Sequence, residues 1–107
     1  AAIVTGDFNT EVGSPAYQMF VRGGFIDAHA ACGNDDDPSR AFTYHGWQGE
    51  AFRGSDSPPR RIDWVLLRDG AQTRLRARSC VIARDAAPPL YPSDHYPVVA
   101  EVEVSRP

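Results

Sequence analysis

The chain has 107 residues, of which 42% are hydrophobic and 23% are charged. This composition excludes disordered and collagen-like proteins and fits one globular unit, since domains usually contain roughly 100 to 150 residues. No apolar run approaches the ~18 residues needed to cross a bilayer. The formal net charge is -3, so no general positive field attracts nucleic acid. Two cysteines are too few for a disulfide framework, which favours a reducing, intracellular setting.

Short apolar segments alternate with polar loops along the chain. Ala2 to Thr5 is typical of a buried strand. Ser14-Pro15, followed by apolar residues at helical spacing, predicts a helix over 15–22 that ends at two glycines. Polar composition predicts loops over 34–40 and 46–59. Further strands are predicted over 41–44, 61–67, 76–84 and 98–104.

The first polar cluster follows the first predicted strand. Side chains two residues apart in an extended segment leave on the same face, which would place Asp7 beside Asn9. The carboxylate can take a proton from water, and the amide can orient an oxygen. This pair suits the hydrolysis of an ester.

The second and third polar clusters are Asp63, inside a predicted strand, and Asp94-His95, just before the last strand. A buried carboxylate needs a partner, because an unpaired interior charge costs several kcal/mol. His95 is the natural partner, since a carboxylate behind an imidazole fixes its tautomer and raises its basicity. Asp94 adds a hard oxygen ligand of the kind that Mg²⁺ and Mn²⁺ prefer. The sequence therefore predicts a hydrogen bond between Asp63 and His95.

Structural explanations compete with these functional ones. Asp7 and Asn9 also suit a turn after a strand, and Asp94 also suits a solvated loop. Three alternating arginines over 74–78 would share one face of a strand. A solvated face paired with acids explains them better than a phosphate-binding stripe.

Three motifs, in this order, resemble the endonuclease/exonuclease/phosphatase superfamily. They are GDFN at Gly6 to Asn9, RIDW at Arg61 to Trp64 and SDHYPV at Ser93 to Val98. TYHGW at Thr43 to Trp47 is similar to the family's TFHGF. The resemblance implies metal-dependent hydrolysis of a phosphodiester or phosphomonoester. The substrates it implies are nucleic acids, inositol or sugar phosphates, and phospholipid headgroups.

Roles follow from the resemblance residue by residue. It implies that Asp7 activates or positions the attacking water and that Asn9 holds a phosphate oxygen or its metal. It also implies that Asp63 orients His95, that His95 contacts the phosphate, and that Asp94 helps to hold Mg²⁺ or Mn²⁺. The further residues expected to line the same cleft are Tyr44, His45 and Arg61.

The resemblance places residues 1–107 in the C-terminal half of a catalytic domain. It implies an α/β (α+β) fold that is half of a four-layer α-β-β-α sandwich, with one mostly antiparallel sheet and a flanking helix. In the family the N-terminal half supplies a metal-binding glutamate, so the isolated chain is expected to be inactive. It is also expected to expose a sheet face that the missing half or a second copy would cover. The alternative is a non-catalytic remnant or binding module. The hydrolase is favoured because all five polar positions of the motifs are retained, namely Asp7, Asn9, Asp63, Asp94 and His95.

Overall fold

The computed structural model describes residues 1–54 and 58–107. The helices and strands, in chain order, are β1 (Ala2–Asp7), α1 (Pro15–Arg22), β2 (Ile26–Asp27), α2 (Ala28–Ala31), β3 (Asp63–Arg68), β4 (Arg74–Ile82) and β5 (Val98–Ser105). All pairings between these strands are antiparallel. The predicted α+β class is therefore confirmed.

The predicted helix is confirmed as α1. The Ser14 hydroxyl accepts a hydrogen bond from the backbone N–H of Tyr17 at 3.3 Å, and Pro15 occupies the first turn, where a missing N–H does no harm. The strands predicted over 61–67, 76–84 and 98–104 are confirmed with shifts of one to two residues at their ends.

The strand predicted over 41–44 is wrong. Tyr44 alone makes a bridge there, to His95. Ala41, Phe42 and Thr43 are buried, so their apolar pattern reflects burial in a connecting segment. The predicted loop over 46–59 contains a 3₁₀ turn at Gly49–Ala51, and its residues 55–57 lie outside the described part of the chain.

Two short elements, β2 and α2, are absent from the sequence-based prediction. The Asp27 carboxylate accepts a hydrogen bond from the backbone N–H of His29 at 3.0 Å and so caps α2. An aspartate followed by Ala-His-Ala-Ala is a recognisable start signal for a helix. The element is only four residues long, so its periodicity is too weak to detect.

The strands form two sheets where one was predicted. The first has the order β1-β3-β2, and the second contains β4 and β5. They pack on each other through a core in which Val65 and Leu67 of β3 meet Cys80 of β4, with Ala28 of α2 beside them. The predicted uncovered face is thus covered along β3, which corrects that expectation.

The opposite face of the three-stranded sheet is covered by α1 and the segment before it. Trp64 stacks on Phe8 with ring centroids 4.3 Å apart, and Tyr17 packs edge-on against Trp64 at 5.1 Å. Residues 64–67 of β3 are all buried as a result. Exposed apolar side chains remain on the outer strands, at Ile3 of β1 and at Val99 and Val104 of β5. Among the described residues, no helix has the length and apolar character needed to span a membrane.

Candidate active site

Two carboxylates meet where β1 and β3 run side by side. Asp7 is the last residue of β1, Asp63 is the first residue of β3, and the two are register partners. Paired residues on adjacent antiparallel strands point to the same face. The strand register therefore brings together two acids that are far apart in the sequence.

His95 lies between these two carboxylates. Its Nδ1 donates a hydrogen bond to Oδ2 of Asp63 at 2.8 Å, which confirms the predicted bond. Its Nε2 lies 3.7 Å from Oδ2 of Asp7. Each ring nitrogen thus has a carboxylate, and the imidazole is fixed in orientation by the closer one.

The pKa of His95 is raised above its ordinary value of 6.5. Partial burial lowers this pKa, but the hydrogen bond and charge of Asp63 outweigh the burial, and the charges of Asp7 and Asp94 add to the increase. The surroundings of His95 therefore favour the imidazolium, a cation suited to a phosphate oxygen.

Asn9 lies beside Asp7 in a turn, and the wall of the cavity that it lines includes none of Asp7, Asp63 and His95. β1 ends at Asp7, and Asn9 has a left-handed backbone with φ of 52°. The backbone N–H of Asn9 donates to Oδ1 of Asp7 at 2.9 Å, forming a turn of the kind that Asp and Asn favour. The same-face argument for an extended segment is therefore wrong. The turn still fixes the Asp7 carboxylate, and Asn9 lines a cavity of about 200 Å³ together with Tyr44.

Asp7, Asp63 and His95 have candidate ligand atoms within 4.8 Å of one another, so the two carboxylates could hold a cation, and His95 could join them only in its unprotonated form. Carboxylates and imidazole are a donor set that fits a divalent metal. Asp94, the predicted metal ligand, is not part of this group. Its backbone carbonyl accepts hydrogen bonds from the N–H groups of His45 at 2.9 Å and Gly46 at 3.2 Å.

The three residues expected to line the cleft differ in position. Tyr44 lines the cavity, and its ring packs edge-on against His95 with centroids 5.3 Å apart. His45 is only 1% exposed; its Nδ1 accepts from the backbone N–H of Gly49 at 3.2 Å, and burial lowers its pKa. A buried imidazole that binds its own loop stabilises that loop. This corrects the expectation for His45.

Arg61 is likewise a buried structural residue. Its guanidinium donates to Asp27 at 2.7 Å and, through Nε, to Asp36 at 2.8 Å. Asp27 also accepts a hydrogen bond from the Tyr17 hydroxyl at 2.9 Å, and burial together with the Asp27 charge raises the pKa of Tyr17 to about 12. Arg61 therefore ties a loop to the core, which corrects its expected role in the cleft.

Two other sequence features have structural roles. Arg78 pairs with Glu103 across β4 and β5, and Arg74 lies 3.7 Å from Asp69, as expected for a solvated face. Both cysteines are free thiols.

Thr43 could not be identified from the sequence. Its hydroxyl accepts hydrogen bonds from the backbone N–H groups of Ile62 and Asp63. No sequence pattern reveals these bonds, because they join segments that are distant in the chain.

A comparison with protein-family models matches residues 1–95 to the Endonuclease/Exonuclease/phosphatase family. No curated protein and no solved structure matches the chain significantly. The match includes Asp7, Asp63 and His95 and spans most of the 107 residues. The chain therefore belongs to the endonuclease/exonuclease/phosphatase family.

Proposed function

We propose that this chain carries part of the active site of a metal-dependent phosphoesterase. Members of its family are generally hydrolases that act on phosphate esters. The observation that carries the proposal is the placement of His95 between Asp63, at 2.8 Å, and Asp7, at 3.7 Å. The reaction proposed is attack of water on a phosphodiester or phosphomonoester.

His95 is proposed to contact the phosphate as a cation. Its raised pKa favours the protonated ring, and Asp63 holds the ring in place from behind. A preorganised cation stabilises the negative charge that grows on the phosphoryl oxygens in the transition state. Asp63 is thus a positioning residue in this scheme.

Asp7 is proposed to accept a proton from the attacking water. Its side chain is 38% exposed, so water and substrate can reach it. One of its oxygens is held by the Asn9 N–H. The Asn9 amide, beside Asp7 and in the wall of the cavity, is proposed to hold a phosphate oxygen.

Mg²⁺ or Mn²⁺ is the proposed cofactor. Asp7 is the principal ligand that we propose, since Asp63 already accepts the hydrogen bond of His95. Asp94, the residue before His95 in the chain, is proposed as a second ligand. When bound, such a metal stabilises the charge of the transferring phosphoryl group.

We further propose that the site is completed by a glutamate from outside these 107 residues and that the isolated chain is inactive.

We also propose that the isolated chain associates through strand edges. The edges proposed are those of β1 and β5, which carry the exposed Ile3 and Val104. Unpaired strand edges readily accept another strand. Light scattering tests this, since a dimer or larger species is expected and a stable monomer would contradict it.

The central experiment replaces Asp7 with Asn in the catalytic domain that contains this chain. The kcat for an aryl phosphodiester should fall by ~10² to 10⁴, the usual contribution of a general base. The melting temperature should barely change, because Asp7 lies at the surface. Asp85→Asn, another exposed acid, is the matched control and should leave kcat unchanged.

The alternative, a binding module, predicts a different result. Wild-type protein would then bind a phosphate ester and a divalent metal without turning the ester over. Full activity in Asp7→Asn would instead show that the role proposed for Asp7 is wrong.

A further inference from the structure

Asp63 begins β3 in the three-stranded sheet, whereas His95 lies in the segment that leads into β5 of the two-stranded sheet. The 2.8 Å hydrogen bond between them therefore joins the first sheet to the segment that precedes the second. Its length depends on whatever fixes the two sheets at this end of the molecule.

Thr43 lies between the two segments and is 0% exposed. Its hydroxyl accepts hydrogen bonds from the backbone N–H groups of Ile62 at 3.0 Å and Asp63 at 3.2 Å. Its backbone carbonyl accepts from the N–H of Tyr96 at 2.7 Å. One residue thus binds the start of β3 on one side and the residue after His95 on the other.

The residues after Thr43 continue this link. Tyr44 forms a bridge with His95, and the N–H groups of His45 and Gly46 both donate to the carbonyl of Asp94. The backbone is consequently held immediately before, at and after His95. Segment 43–46 and the loop at 94–96 form one hydrogen-bonded unit. The Thr43 hydroxyl joins that unit to the start of β3, and the Thr43 N–H donates to the carbonyl of Arg60 at 3.1 Å.

The hydroxyl is the specific element of this link. A buried N–H without an acceptor costs about 1 to 3 kcal/mol, so two amides that lose a shared acceptor would shift towards another partner or water. Asp63 is one of those two residues. A shift of its backbone would move its carboxylate relative to His95.

We propose that Thr43 is a positioning residue that sets the distance and angle between Asp63 and His95. It acts through the backbone of Asp63 and does not touch the reacting atoms. The structural part of the proposal stands on these hydrogen bonds alone, and its effect on turnover rests on the phosphoesterase function proposed above.

The test compares Thr43→Val, which keeps the shape and removes the hydroxyl, with Thr43→Ser, which keeps the hydroxyl. In the 107-residue chain, NMR should detect a low-field proton of His95 Nδ1–H bonded to Asp63. Thr43→Val should lose that signal and speed amide exchange at Ile62 and Asp63. Thr43→Ser should retain both properties.

Leu67→Ala is the control for general loss of stability. Leu67 is buried at the far end of β3, in the core between the sheets. This variant should lower the melting temperature at least as much as Thr43→Val while keeping the low-field signal. Loss of the signal in Leu67→Ala as well would reduce Thr43 to an ordinary stabilising residue and overturn the proposal.

In the active domain, Thr43→Val should lower kcat about tenfold with KM nearly unchanged, since the substrate-binding groups remain in place. An intact signal and unchanged kcat in Thr43→Val would overturn the proposal. If that variant does not fold, amide exchange in the wild-type chain decides. Protection of Ile62 and Asp63 equal to that of central β3 supports the link, and exchange at the rate of a frayed end refutes it.

The two proposals fail in distinguishable ways. If the wild-type domain turns over no phosphate ester while only Thr43→Val loses the low-field signal, the phosphoesterase proposal fails and the positioning role stands. If turnover falls in Asp7→Asn but not in Thr43→Val, the phosphoesterase proposal stands and the positioning role of Thr43 fails.

Discussion

Two clusters in this molecule each combine two aspartates with a histidine, one of them with an added arginine, and they behave differently. The site cluster consists of Asp7, Asp63 and His95, and the buried cluster consists of Asp27, Asp36, Arg61 and His29. In the site cluster the side chains are 20% to 38% exposed. In the buried cluster the side chains of Arg61 and Asp27 are each only 2% exposed and that of His29 is 5% exposed, whereas Asp36 at its edge is 38% exposed.

The histidines show the consequence. The pKa of His95 is raised, because two carboxylates outweigh its partial burial. The pKa of His29 is lowered, chiefly by burial and then by the positive charge of Arg61, although Asp36 lies 3.3 Å from its Nδ1. A carboxylate therefore favours a charged histidine only where water remains nearby and no stronger cation competes for it. The site cluster keeps its side chains accessible to water, and the buried cluster ties a loop to the core.

The largest effect on stability is expected from Arg61→Leu. This change leaves Asp27 buried without its cation and should cost about 3 to 5 kcal/mol of the free energy of unfolding. That is a large part of the ~5 to 15 kcal/mol typical of a domain. Urea denaturation measures it. Arg74→Ala, at a surface pair, should change the free energy by less than about 1 kcal/mol. Equal losses in both variants would remove the distinction between the clusters.

A smaller effect on stability is expected from His29, and it depends on pH. Because the folded-state pKa of His29 lies below the ordinary 6.5, the unfolded chain takes up this proton first as pH falls. His29 therefore reduces stability below about pH 6.5, with a slope of at most about 1.4 kcal/mol per pH unit for one proton. His29→Gln should flatten the decline in stability that begins below about pH 6.5, as measured by denaturation curves. The groups that act on His29 are Arg61 and Asp27, Asp35 and Asp36.

His95→Gln should change the pH dependence of stability in the opposite direction. The raised pKa of His95 adds stability that is fully present below about pH 6.5 and is lost as pH rises through the folded-state pKa. The variant should therefore be most destabilised, relative to wild type, below about pH 6.5 and least above the folded-state pKa of His95. If His29→Gln and His95→Gln changed the pH dependence of stability in the same direction, the two clusters would share one electrostatic environment.

The site could be predicted from the sequence to a large extent. Asp63 inside an apolar strand required a partner, and His95 was the natural choice. The helix at 15–22 followed from its cap and its spacing. The helix signal is local, and the need of Asp63 for a partner rests on the high cost of an unpaired buried charge, so both could be predicted without the tertiary arrangement.

Tertiary structure decided which other polar residues join the site. Arg61 and Asp63 are two residues apart, yet the guanidinium lies in the core and the carboxylate faces His95. His45 belongs to the TYHGW motif, and its backbone N–H donates to the carbonyl of Asp94 next to the site. Its side chain is nevertheless buried against the ring of Tyr96. The role of Thr43 depends on contacts with residues 60–63 and 96, which come together only when the two sheets pack. Residue type and spacing determine what a side chain can bind, whereas burial and the partners brought by distant segments determine what it does bind.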